Sequence, residues 1–420
     1  MSKWDSMTIV DFHKQLATGN VSPLDWWMAC RERIEAREPS LQAWEYLAPA
    51  PAGPMLTKGM PLPFLYGVPV GIKDIIDTQQ MPTTWGTQGY HRVESSIMDA
   101  AIVTQLRQLG ALPMGKTVST EYSYFQPSKT RNPHDTQRTP GGSSSGSAAA
   151  VASGMVPIAL GTQTVGSIIR PASYCGVVGF KPTHGIVSVA GVKALAPSMD
   201  TLGWFTRTLA DSQAVFNAVS HAVPSPPYDS LAGVRIALCP LPHTPAPGPD
   251  AQAALQHAAQ RLETAGASVF SLELGDGFDA LVEHQETILA YEATRALASE
   301  WARFADSMST PLRTLLENGR NISLERYQQA RQATEKAQRR IARYFQNDID
   351  AILAPSAPAA APEGLTSTGD PLYSRAWTLL GGPCLSLPMY KVNGLPIGVQ
   401  LIGNRYADAK LFDIARNVIE

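Results

Sequence analysis

The chain has 420 residues, 44% hydrophobic and 17% charged, with a formal net charge of −2. Lysine and arginine form no stripe, so a nucleic-acid partner is not expected, and no apolar run reaches the about 18 residues that a membrane span needs. The N-terminus lacks the basic-then-apolar layout of a secretion signal. Cys30, Cys175, Cys239 and Cys384 have neither metal-site nor disulfide-framework spacing, so the expectation is a cytoplasmic protein with small buried thiols.

Two amphipathic helices are predicted over 7–18 and 22–38, the second opened by Ser22-Pro23. Residues 47–64, rich in Pro, Ala and Gly, predict a loop. Apolar alternation over 64–76 predicts a buried strand that delivers Gly67-Val-Pro-Val-Gly-Ile-Lys73. A lysine by default is a solvated surface charge; the glycines and apolar residues around Lys73 argue for burial instead. A helix over 99–109 precedes Gly110-Ala-Leu-Pro-Met-Gly115-Lys116-Thr117, which spells the phosphate-loop pattern G-x-x-x-x-G-K-[ST]. That motif needs a strand leading in and a helix leading out. Here a helix leads in and an apolar strand, 111–114, runs through the middle, so the match is read as a coincidence.

The run 139–184 is rich in Gly, Ser, Ala and Thr and almost uncharged until Arg170. Small side chains bury little apolar area, but they let backbone N–H groups and hydroxyls come close to a ligand. A loop at 141–147, a helix start at 148–152, a short buried strand at 156–160 and a second hydroxyl-bearing loop at 161–167 suggest an acyl-transfer site. Further on, Asp200 and Arg207 read as structural. Prolines crowd 222–250 around a strand at 234–239. Helices are predicted near 251–266, 279–306 and 323–345, with a strand at 267–272. The chain returns to sheet at 352–356, and Asn393-Gly394 marks a turn before a last strand ending at Gly403.

Histidine offers no ready route to nucleophilic catalysis. Of the eight histidines only His184 falls in the Gly/Ser-rich region, and it reads as a polar residue at a strand end. Residues 142–146 spell G-x-S-x-G, yet no apolar strand leads into them, as a nucleophile elbow requires.

GGSSSGSAAA at 141–150, followed by GTQTVGSIIRPASYCGVVGFKP at 161–182, resembles the core of the amidase signature family. The segments 67–74 and 394–403 resemble its lysine motif and its C-terminal strand. The resemblance implies an α/β fold: a single large mixed β-sheet covered by helices on both faces. It implies one domain over 1–420, made of an N-terminal helical segment (1–60), the signature core (61–215), a variable, mostly helical segment (222–350) and a return to the sheet (351–420).

The same resemblance implies a hydrolase of carbon–nitrogen bonds in linear amides, working through an acyl-enzyme without cofactor or metal. It puts the nucleophile at Ser167, a bridging serine on a cis peptide at Ser143, and the base at Lys73. The oxyanion donors would be the backbone N–H groups of Thr164, Val165, Gly166 and Ser167. A lysine amine has a pKa of about 10.4, so keeping it neutral near pH 7 costs about 4 kcal/mol, which burial can supply.

Two positions carry further expectations. Val165 stands where the commonest family pattern has glycine, and a β-branched residue resists positive φ. It either distorts the turn or narrows the pocket, and narrowing is expected. Arg170 stands three residues after the nucleophile, as in compact malonamidase-like members, where an arginine holds a substrate carboxylate; a guanidinium matches a carboxylate bidentately. An arginine that ties core loops together is the other reading. The expected function is hydrolysis of a small amide, one that can bear a carboxylate, with a small-molecule partner, no nucleic acid, no membrane, and a homodimer allowed. Two alternatives stay open: the glutamine-hydrolysing A subunit of a tRNA-dependent amidotransferase, and a catalytically silent family member.

Overall fold

The computed structural model describes residues 3–51, 62–222, 230–239, 241, 245–275 and 277–419. Helices α1 (Ile9–Ala17) and α2 (Asp25–Leu41) lead into strands β1 (Trp44–Leu47) and β2 (Pro69–Lys73). Helix α3 (Ala101–Gln108), strand β3 (Leu112–Thr117), helix α4 (Ser145–Ala152) and strand β4 (Ile158–Gln163) follow. Then come α5 (Ile169–Cys175), β5 (Val178–Lys181), β6 (Thr201–Thr206) and α6 (Leu209–Ser220). The next segment holds β7 (Arg235–Leu238), α7 (Pro249–Thr264) and β8 (Ser268–Ser271). Four helices succeed it: α8 (Leu281–Ala296), α9 (Ala298–Phe304), α10 (Thr310–Arg320) and α11 (Leu324–Asn347). The chain closes with β9 (Ala351–Pro355), α12 (Arg375–Leu380), β10 (Cys384–Val392), β11 (Leu395–Ile402) and α13 (Asp408–Ile419).

Eleven strands form one mixed sheet in the order β1-β3-β2-β4-β6-β5-β10-β11-β9-β7-β8. Strands β2 and β4 are parallel neighbours and buried at every position, as expected of strands covered on both faces. Strands β10 and β11 form an antiparallel hairpin whose turn, Asn393 at φ 51 and Gly394 at φ 81, is left-handed at both residues. Asn-Gly suits such a turn because both residues tolerate positive φ. Phe180 of β5 meets Phe412 of α13 at 4.5 Å and Phe216 of α6 at 5.6 Å between ring centroids, which fastens both helices to the middle of the sheet.

Local detail departs from the sequence in several places. Helix α2 begins at Asp25, not at Ser22-Pro23: the Asp25 carboxylate accepts from the Ser22 N–H (2.9 Å) and hydroxyl (2.5 Å), so the pair forms a turn ahead of the helix. Helices α6, α10 and α13 were not foreseen. Helix α10 has the ordinary start signals, Ser309 accepting from the Leu312 N–H and Pro311 in its first turn. Its apolar face, Leu312, Leu315, Leu316 and Gly319, follows the helical period. A Cβ on Gly319 would stand 2.0 Å from the Ala290 carbonyl oxygen, so α10 crosses α8 with its backbone in contact. Of the predicted loop at 47–64, residues 52–61 lie outside the described residues, as do 223–229, 240 and 242–244 of the proline-rich stretch.

The phosphate-loop lookalike is strand, as expected. Lys116 is buried in β3, its Nζ 3.3 Å from the Asp74 carboxylate and donating to Thr83 Oγ1 (2.5 Å) and the Pro82 carbonyl (3.2 Å). No amide cradle for a phosphate exists there.

Candidate active site

Lys73 is the last residue of β2, and the sheet's depth leaves it wholly buried. Its Nζ lies 2.7 Å from Ser143 Oγ and 2.8 Å from Thr162 Oγ1. Burial draws the amine's pKa well below its ordinary 10.5, opposed by the Asp200 carboxylate. Burial in turn raises the Asp200 carboxyl, so both groups are pushed toward their uncharged forms. Asp200 accepts from Thr164 Oγ1 (2.6 Å) and from the N–H groups of Leu195 and Ala196 (2.8 and 3.0 Å). Through the Thr164 hydroxyl it holds one edge of the 164–167 turn.

The bridging serine sits on the other wall. The Gly142–Ser143 peptide bond is cis, and Gly141 before it has φ 84. A Cβ on Gly141 would meet Pro171 Cα at 2.9 Å, so this loop lies directly on α5. The Ser143 carbonyl accepts from the Thr120 N–H (3.1 Å). Two residues on, Tyr122 (φ 43) and Ser123 (φ 62) are both left-handed, an uncommon state that clusters at functional sites.

Ser167 is 7% exposed, and its hydroxyl takes part in no hydrogen bond among the described residues. Lys73 and Ser143 therefore touch, whereas Ser143 and Ser167 are not hydrogen-bonded to each other. Among the described residues nothing on the backbone accepts from the N–H groups of Val165, Gly166 or Ser167. Three successive free amides are a ready set of donors for an oxyanion. Neither Val165 nor Gly166 has positive φ, so the β-branched Val165 is not held in the left-handed region it resists. Its side chain is 5% exposed and packs into the core.

Arg170, in α5, is 1% exposed. Its Nη2 donates to the Gly142 carbonyl (2.6 Å) and to Thr368 Oγ1 (3.1 Å), while Nε and Nη1 have no partner. Burial lowers its pKa to about 10. The guanidinium ties the loop of Ser143 to α5, and it keeps two donors in reserve. It lies 6.0 Å from the Phe125 ring, with the Arg375 guanidinium 5.9 Å from the same ring.

Sequence reasoning missed Thr162, Gln163 and Thr378. Gln163 is fully buried; its Oε1 accepts from the N–H groups of Ile168 and Ile169 (2.8 and 3.0 Å), and its Nε2 donates to Thr378 Oγ1 (2.8 Å). Position 163 was visible between two motif threonines, but nothing in the sequence marked Thr378 as its partner. His184 stands apart, its ring against the Pro197 carbonyl (3.2 Å). All four cysteines are buried. No helix among the described residues is long and apolar enough to cross a membrane.

Comparison with known proteins bears on this geometry. The profile of the family described as Amidase matches residues 29–412. The A subunit of the glutamyl-tRNA(Gln) amidotransferase of Roseiflexus castenholzii (strain DSM 13941 / HLO8) is 32% identical, with 97% of this chain and 94% of the relative covered. The solved structure of the same-named protein from Thermotoga maritima is 28% identical, covers 100% of this chain and 95% of its own, and superposes with a TM-score of 0.80. An inhibitor-bound structure, described as a vestigial protein complex that reveals the origins of an s-triazine catabolic enzyme, is 25% identical, covers 98% of both chains and reaches a TM-score of 0.87. These findings overturn the expectation that nucleic acid has no part among the partners. Relatives matched along almost their whole length are, by name, one subunit of an amidotransferase of glutamyl-tRNA(Gln). A near-neutral charge balance speaks only to this surface's own pull on phosphates, not to what an assembly holds.

Proposed function

The chain belongs to the amidase family, and from that premise we propose that it is a glutamine-hydrolysing A subunit that supplies ammonia to an amidotransferase acting on glutamyl-tRNA(Gln). The relatives named above support the choice of substrate and assembly. The chemistry rests on one observation: a buried lysine amine, drawn toward neutrality, within 2.7 Å of a serine hydroxyl.

In this mechanism neutral Lys73 takes the Ser143 proton while Ser143 takes that of Ser167, and Ser167 Oγ bonds to the amide carbon. The N–H groups of the 164–167 turn receive the oxyanion. The proton then returns from Lys73 through Ser143 to the amide nitrogen, the C–N bond breaks, and ammonia leaves. Water attacks the acyl-enzyme along the same path and restores Ser167. Arg170 Nε and Nη1 would face the substrate carboxylate. The whole chain acts as one domain in this reading, and the working compartment is the cytoplasm.

The two unpartnered Arg170 donors are equally compatible with a second reading: a self-sufficient hydrolase of a small carboxylate-bearing amide. Ammonia release from glutamine and from malonamate by the purified chain separates them. Turnover of malonamate but not glutamine favours the second. Ser167→Ala is expected to abolish release from either; activity that survives it removes both readings.

A further inference from the structure

We propose that Thr378, in α12, is a positioning residue that aims the Gly166 N–H at the developing oxyanion; the proposal rests on the acyl-transfer reading above. Thr378 Oγ1 donates to the Val165 carbonyl at 2.6 Å and accepts from Gln163 Nε2 at 2.8 Å. The hydroxyl has one proton, and the Ser374 carbonyl, one helical turn back, stands at 2.9 Å as its alternative acceptor. A threonine inside a helix ordinarily returns its proton to that i−4 carbonyl. Here the shorter contact is to the catalytic turn, and the Gln163 amide fills the oxygen's accepting side.

The consequence follows from peptide geometry. A trans peptide is planar, with its C=O and N–H pointing in opposite directions. Holding the Val165 oxygen on Thr378 therefore fixes the Gly166 N–H on the far side of the same plane. That N–H has no acceptor on the backbone among the described residues, so its direction is free to serve a ligand. The rest of the segment backs the turn sterically: a Cβ on Gly166 would lie 2.8 Å from Pro371 Cβ and 3.1 Å from Ser374 Cβ. Gln163 closes the clamp at its other end, where Oε1 collects the Ile168 and Ile169 amides at the start of α5. The amides that would receive the oxyanion thus lie between two ends of one buried Gln–Thr pair, and preorganised donors of this kind are what lower such barriers.

The test uses the full-length chain and a rhodamine-tagged fluorophosphonate, whose saturable labelling gives kinact and KI separately. Thr378→Val removes the hydroxyl at nearly constant volume, and Thr378→Ser keeps it. In Thr378→Val kinact is expected to fall about ten- to hundredfold, part of the about 10²–10³ lost with a whole oxyanion donor, while KI scarcely changes. Thr378→Ser is expected to retain most of the wild-type kinact. If Thr378→Val does not fold, Thr378→Ala is read the same way. Wild-type kinact without the hydroxyl, or an equal loss in Thr378→Ser, overturns the clamp. Labelling that persists in Ser167→Ala, or is absent from the wild type, instead sinks the acyl-transfer reading beneath it.

Discussion

At the scale of single residues, the proposed mechanism turns on protonation at position 73. Only an uncharged amine can accept the Ser143 proton, so activity is expected to rise as pH climbs through the lowered Lys73 pKa. Lys73→Met is expected to cost about 10²–10⁴ in ammonia release, the usual share of a general base. The same shift has a sign in stability. Between its lowered folded pKa and the ordinary 10.5, the folded chain binds fewer protons at this site than the unfolded chain, so stability rises with pH across that window. Urea unfolding at pH 6 and pH 9 is expected to show a larger gain for wild type than for Lys73→Met; equal gains would contradict burial of a neutral amine. For Arg170, replacement by lysine keeps the charge but loses the planar fork. Arg170→Lys is expected to raise KM for glutamine and lower kcat, because the Gly142 carbonyl loses its 2.6 Å donor; unchanged kinetics would make the arginine a bystander.

What the sequence disclosed at this scale was limited to residues inside motifs. Lys73 and Ser143 lie in contact where their motifs placed them. Gln163 and Thr378 stayed hidden because their meaning lies in a pairing 215 positions apart. The fate of Val165 depended on a φ value that no composition reveals.

Among elements, the helical stretch 281–347 carries the sharpest expectation. Gly319 lets α10 touch α8 backbone to backbone. Gly319→Ala is expected to destabilise the fold by about 1–3 kcal/mol, the usual cost of overpacking, read as a lower urea midpoint; no shift would mean the crossing can open freely. Ser309 both caps α10 and donates to the buried Glu121 carboxylate, beside the left-handed Tyr122 and Ser123. Helix α10 escaped sequence reading although Ser309 and Pro311 mark its start. Helices α6 and α13, of 12 residues each, were missed as well, although the shorter α1 and α3 were legible. Strand β7, by contrast, was legible from its apolar residues even among prolines.

For the molecule as a whole, one sheet draws strands from every part of the described chain. The N-terminal helices are bound to the core by the Asp211 carboxylate on the Ile9 N–H (2.9 Å) and by Arg207 on the Met7 carbonyl (2.8 Å). If the chain is one domain, as proposed, it is expected to unfold in one transition, coincident by circular dichroism and tryptophan fluorescence; two separated transitions would break it into parts. The most direct test of the central claim is the titration of Lys73 itself, by ¹⁵N NMR of Nζ in lysine-labelled protein, with the signal assigned by its loss in Lys73→Met. This amine is expected to be neutral at pH 8. An amine still charged there, titrating near its ordinary 10.5, would contradict the proposed relay.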